Sequence, residues 1–141
     1  DLRPLTVRYE AGAVLAATVS AFDAAYGLAE LAFAGGTLRV PGANLALGAQ
    51  LRVHIRARDV SLSLTKPTDS SVLNVFAGTV TEIASESGAQ VDVRLDVGAP
   101  LIARITRKSV DELGLRPGSS IYAMVKAVAI DRRSLGGAVS D

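Results

Sequence analysis

The chain has 141 residues, and fifteen basic side chains against fourteen acidic ones leave a net charge of +1. That balance supplies no long-range attraction for a polyanion or an anionic membrane surface. The absence of cysteine excludes disulfide frameworks, zinc-thiolate sites and thiol nucleophiles. Hydrophobic residues make up 49% of the chain but aromatic ones only 4%, so the core must rest on Val, Leu, Ile and Ala, and a base-stacking surface is disfavoured.

The opening residues Asp1-Leu2-Arg3-Pro4 lack the basic-then-apolar order of a signal peptide. The most apolar stretch, residues 11–34, is interrupted by Asp23, Glu30 and glycines. It falls short of the roughly 20 predominantly apolar residues that a membrane span needs. A soluble protein with no direct membrane insertion is expected. The lack of an initiator Met and the extra segment 1–10 lead to the expectation of a fragment of a longer chain.

Taken in order, short runs of alternating hydrophobicity predict strands at residues 14–20, 28–33, 37–40, 51–58, 74–83, 91–97, 101–106 and 120–130. Leu51-Arg52-Val53-His54-Ile55-Arg56-Ala57-Arg58 is the clearest, since alternate side chains of a strand point to opposite faces. Gly35-Gly36, Pro41-Gly42, Ser87-Gly88 and Pro117-Gly118 supply turn chemistry between runs. One short helix is expected over residues 108–113. Ser109-Val110-Asp111-Glu112 has the capping-box form, and Leu113-Gly114 supplies a stop. Residues 131–141 read as a flexible tail.

An internal repeat organises these elements. Thr18-Val19 corresponds to Thr79-Val80, and Leu47-Gly48 followed by Leu51, Val53 and Ile55-Arg56-Ala57 corresponds to Pro117-Gly118 followed by Ile121, Ala123 and Val125-Lys126-Ala127. The polar linker Thr65-Lys66-Pro67-Thr68-Asp69 divides the copies, giving residues 1–65 as a first repeat and 66–141 as a second with its tail. The expected fold is all-β and mainly antiparallel: two tandem OB-like small β-barrels, with one short helix in the second repeat.

Ser70-Ser71-Val72-Leu73-Asn74-Val75, taken with Val125-Lys126-Ala127, resembles the molybdate-binding signature of the molbindin (Mop/TOBE) family, a Ser-x-Arg-Asn start combined with a Lys-Ala or Lys-Ser near the last strand. Arg56-Ala57-Arg58-Asp59-Val60-Ser61-Leu62, preceded by Tyr26-Gly27-Leu28, resembles the C-terminal regulatory half of the ATPase subunit of molybdate ABC transporters. The resemblance runs from about Gly12 to Ile130. It implies a pair of barrels that dimerise, bind molybdate or tungstate in the cytoplasm and regulate an attached transporter ATPase. It also implies a place beside the inner face of the plasma membrane, with the transporter's membrane subunit as an indirect partner. Two departures stand out. Leu73 occupies the signature arginine position, and the matching stretch Glu10-Ala11-Gly12-Ala13 has neither Ser nor Asn.

A tetrahedral dianion presents only acceptor oxygens, so its site needs converging donors and a cation. Backbone N–H groups of a tight loop, the hydroxyls of Ser70 and Ser71, the Asn74 amide and the Lys126 ammonium supply these types, and Val72 and Ala127 of the two motifs complete the candidate oxyanion-binding set. Arg56 and Ala57, the repeat counterparts of Lys126 and Ala127, are the basis for a possible second site. Each residue also has a plainer reading: Ser70 and Ser71 as linker, Asn74 as a turn cap, Lys126 as a solvated strand residue, and Arg52, Arg56 and Arg58 as a solvated face.

No catalytic constellation emerges. His54 sits among arginines, and Asp92 and Asp96 lack a third ligand, so no cationic metal is expected. Ser109 has no Gly-x-Ser-x-Gly context, and no phosphate-binding Gly-x-x-x-x-Gly-Lys-Ser/Thr loop occurs in the chain. The expectation is therefore a binding module and not an enzyme. A dimerisation domain without ligand, a free-standing molybdate-storage protein and an OB-type nucleic-acid binder are the alternatives, and the charge and aromatic content oppose the last.

Overall fold

The computed structural model describes residues 11–42, 44–84 and 88–131. The expectations for the segment 1–10 and for the tail beyond residue 131 lie outside the described residues. Ten strands form in chain order. These are β1 (Gly12–Asp23), β2 (Leu28–Phe33), β3 (Gly36–Pro41), β4 (Gln50–Arg56), β5 (Val60–Ser63), β6 (Asn74–Ile83), β7 (Gln90–Asp96), β8 (Pro100–Thr106), β9 (Ser120–Val125) and β10 (Ala129–Asp131). A helix, α1 (Arg107–Leu113), separates β8 from β9, and a 3-10 turn at Ala57–Asp59 separates β4 from β5.

The strands make two five-stranded antiparallel sheets, ordered β10-β4-β1-β2-β3 and β5-β9-β6-β7-β8. The predicted alternation places them: in β4, Leu51, Val53 and Ile55 are buried while Arg52, His54 and Arg56 are exposed. Both sheets turn their apolar faces into one core of aliphatic side chains, among them Val19, Leu31, Leu38, Val80, Leu95 and Leu101. Phe33 of β2 meets Phe76 of β6 across the two sheets edge to face, with centroids 5.1 Å apart.

The repeat is visible in the backbone. Both long strands shift register at the same place, between Val19 and Ala21 in β1 and between Val80 and Glu82 in β6. The residue before each shift makes the same two bonds. Val19 N–H donates to Ala49 O (2.9 Å) and its carbonyl accepts from Gly48 N–H (2.8 Å); Val80 does the same with Ser119 (2.9 Å) and Gly118 (2.7 Å). The copies are offset by 63 positions at the pair Leu38 and Leu101 and by 70 at Gly48 and Gly118. The seven-residue helix α1 accounts for that difference.

Three sequence expectations are corrected. The helix begins at Arg107, and its N-cap is Thr106, whose hydroxyl accepts from Ser109 N–H at 3.0 Å. Ser109 therefore occupies the third helical position and not the cap, because Thr106 lies in extended conformation where the strand ends. Gly114 does end the helix, in the left-handed conformation at φ 64°. The apolar run 120–130 is not one strand: it breaks at Lys126, and β9 and β10 belong to different sheets. The run 51–58 likewise stops at Arg56, where the 3-10 turn redirects the chain into β5.

These two breaks occupy equivalent positions and do the same work. After β4 the chain leaves the first sheet and adds β5 to the second, where Val60 pairs with Val125. After β9 it leaves the second sheet and adds β10 to the first, where Ile130 pairs with Val53. Each sequence repeat thus lends its last strand to the other sheet, and the backbone ladders tie the halves together.

Because Phe76 sits in the joint between the sheets and is 7% exposed, replacing it with Ala should lower unfolding free energy by about 3 kcal/mol. Urea unfolding measures this, and a loss below about 1 kcal/mol would show that the joint carries little of the stability.

Candidate functional site

The two signature segments lie 52 positions apart in sequence, yet the sheet brings them side by side. In the β6–β9 ladder Asn74 pairs with Val125, so the residues just before β6 run alongside those just after β9. Both segments sit where strands end, which leaves their backbone groups outside the ladders.

A cavity of about 420 Å³ opens there, walled by Arg39, Val40 and Pro41 of β3, by Asn74, by Lys126, Ala127 and Val128 of the crossing segment, and by Ile130 of β10. A second cavity of about 280 Å³ adjoins it and adds Leu28, Ser71, Val72, Leu73 and Val125 to the wall. Ser71, Val72, Asn74, Lys126 and Ala127 therefore lie around these two adjoining cavities. Ser70 lines neither cavity among the described residues; its hydroxyl accepts from Val72 N–H at 3.1 Å and shapes the loop instead. Arg39 is the residue that sequence reasoning missed. It stands in the other repeat, and only the packing of β3 against β6 brings it to the site.

Lys126 is exposed, and its ammonium has no ion pair with a described residue. Its N–H donates to Asp59 O at 2.9 Å, which fixes the crossing segment against the 3-10 turn. The Ala127 N–H has no acceptor among the described residues and is a free donor at the cavity wall. The two cavities together present two cations, Arg39 and Lys126, and no carboxylate among their described lining residues. Such a wall favours an anion.

Asn74 has a different part from the one its residue type suggests. It is the buried polar side chain of the described core, 9% exposed. Its Oδ1 accepts from Arg39 N–H at 2.7 Å, and its Nδ2 donates to Arg39 O at 3.0 Å. The amide thereby satisfies both backbone groups of one residue on the neighbouring sheet, and it positions the cavity wall.

The first-repeat counterpart is built otherwise. Arg56 pairs with Asp59, its Nε 2.9 Å from Oδ2, so its charge is met within the turn. Ala57 is fully buried, and its N–H donates to Ala11 O at 2.7 Å. Register with Thr18 and Thr79 puts Ala13 where the second repeat has Asn74. His54 is exposed on β4, Asp92 is held by Arg104 at 2.8 Å, and no cluster of three metal-ligating side chains occurs among the described residues.

Asn74→Ala leaves the Arg39 N–H and carbonyl without their partner, and a loss of about 2 kcal/mol in urea unfolding is expected. Asn74→Asp should not restore it, because a carboxylate oxygen would then face the Arg39 carbonyl. Wild-type stability in the Asp variant would refute the clip.

Residues 70–131 match the sequence model of the family described as TOBE domain. Over 137 residues the chain is 44% identical to the molybdenum import ATP-binding protein ModC of Mesorhizobium japonicum, covering 96% of this chain and 37% of that protein. It is 48% identical over 131 residues to the protein of the same name from Pseudomonas fluorescens, covering 90% and 36% respectively. The chain thus spans little more than a third of the length of these relatives. Among solved structures, the cytoplasmic molybdate-binding protein ModG with molybdate bound superposes with a TM-score of 0.69 at 27% identity, covering 84% of this chain and 94% of that one. The fold is accordingly that of tandem OB-like barrels. Residues 70–131 thus carry the match to the TOBE domain model, and nearly the whole chain is similar to one part of the molybdenum-import ATP-binding proteins.

Proposed function

We propose that this chain is a regulatory domain that binds molybdate or tungstate and reports its level to the ATP-binding subunit of a molybdate transporter. The observation that carries this reading is the anion-favouring cavity at the junction of the two signature segments, in a chain so similar to molybdenum-import proteins. Lys126 supplies charge, Ala127 a free backbone donor and Ser71 a hydroxyl donor. Ser70 and Val72 shape the loop, and Asn74 holds the opposite wall. The ion is bound and released unchanged, so the domain itself needs no catalytic group.

In this reading the ATPase engine lies elsewhere in the same full-length chain, and the transporter's membrane subunit is reached through it. The two repeats, residues 1–65 and 66–141, act as a pair of barrels that share strands, and two copies of the domain associate as a homodimer. The complex works in the cytoplasm at the inner face of the plasma membrane. One ion binds per chain, because the counterpart site has its arginine neutralised by Asp59 and its alanine N–H already bonded. Neither nucleic acid nor lipid is a partner. The basic face of β4 is partly offset, with Arg56 paired to Asp59 and Asp131 opposite Arg52.

Calorimetric titration with molybdate, with sulfate as the control, tests the reading. Saturable molybdate binding near one ion per chain is expected, and Lys126→Ala should weaken it about 10-fold or more, as loss of a charged hydrogen bond does. A folded domain that binds no oxyanion would point instead to a scaffold for subunit contacts. Unchanged affinity in the Lys126 variant would remove the site from this cavity.

A further inference from the structure

We infer that Arg39 is a second cationic ligand of the oxyanion, contributed by the other repeat and restrained by Glu30 while the site is empty. This rests on the oxyanion reading of the cavity. A dianion beside Lys126 alone keeps one negative charge uncompensated. Leu73, 57% exposed, stands where the signature carries arginine and offers no charge. The next cation at the wall is Arg39, which lines both adjoining cavities with Lys126.

Its position is fixed more firmly than that of a surface arginine. Asn74 holds the N–H and the carbonyl of residue 39 from the second sheet, so the backbone is pinned and only the long side chain moves. That side chain is committed weakly: Nε lies 3.8 Å from Glu30 Oε2, directly across the β2–β3 ladder, and the two side chains are 44% and 31% exposed. An exposed pair of that kind is easily exchanged for a better acceptor. The planar guanidinium presents forked donors that match two oxygens of a tetrahedral anion, a geometry that an ammonium does not offer. The arrangement is also peculiar to this half of the molecule. Register through Leu38 and Leu101 puts Ile102 at the position equivalent to Arg39, and Ala13 replaces the Asn74 clip.

The consequence is a site assembled from both repeats, in which bound anion bridges the Arg39 side chain of β3 and the crossing segment that carries Lys126. Calorimetric titration of the 141-residue chain with molybdate, at one ionic strength, tests this with the variants Arg39→Ala, Glu30→Gln and Lys126→Ala. Arg39→Ala is expected to weaken binding by about 10- to 100-fold, the usual range for a charge-assisted hydrogen bond. Glu30→Gln is expected to tighten it about two- to five-fold by freeing the guanidinium. If Arg39→Ala binds as the wild type does while Lys126→Ala loses affinity, the inference falls and the cavity remains the site. If the wild type binds no molybdate, or Lys126→Ala leaves affinity unchanged, the oxyanion reading fails and Arg39 goes with it. Should Arg39→Ala not fold, Arg39→Gln keeps most of the stem and is read by the same criteria.

Discussion

A single side chain holds the two halves in register at the point where they matter most. Asn74, at the first position of β6, satisfies both backbone groups of Arg39 on β3. A strand edge normally leaves such groups to water or to another chain. Here the pairing converts the edge of the first sheet into one wall of a cavity, and the start of the β6–β9 ladder of the second sheet into the other. The exchanged strands β5 and β10 work to the same end, since neither sheet is complete without a strand from the opposite repeat. Shared backbone ladders and one aromatic contact, Phe33 on Phe76, make the relation between the halves fixed and not merely tethered.

The two repeats place equivalent segments in different chemical surroundings. Both repeats end β4 or β9 with a basic residue followed by alanine, and both then cross to the other sheet. In the first repeat Asp59 takes up the arginine, and the alanine N–H is spent on Ala11. In the second, the lysine ammonium and the alanine N–H have no partner among the described residues, and Asn74 frames the cavity. The asymmetry follows from a few positions: Asp59 against Ala129, Ala13 against Asn74, and Ile102 against Arg39. It explains how a symmetric backbone can present one strongly anion-favouring wall with a balanced net charge.

Much of this was legible in the sequence, for physical reasons. Period-two alternation revealed the strands because one face of each is buried, and the repeat revealed which strands correspond. Ser71, Val72, Asn74, Lys126 and Ala127 were readable as a group because their order and spacing resemble a family signature, although the spacing alone gives no proximity. What escaped was long-range. The break at Lys126 lies inside a largely apolar run, since Val128 and Ile130 still pack against the core after the chain changes sheets. Arg39 alternates correctly as an outward residue of β3, and nothing local marks it as a neighbour of Lys126. The cap at Thr106 was missed because Ser109-x-x-Glu112 offers an equally good local pattern, and only the end of β8 decides between them.

The proposed function stands on an oxyanion bound between Lys126 and the wall pinned by Asn74. Its most direct test is a crystal of the chain grown with molybdate and measured at the molybdenum absorption edge. One strong anomalous peak per chain is expected, within hydrogen-bond reach of the Lys126 ammonium and the Ala127 N–H. A peak elsewhere, at Arg56 for instance, or a well-ordered crystal soaked to saturation with no peak at this cavity, would contradict it.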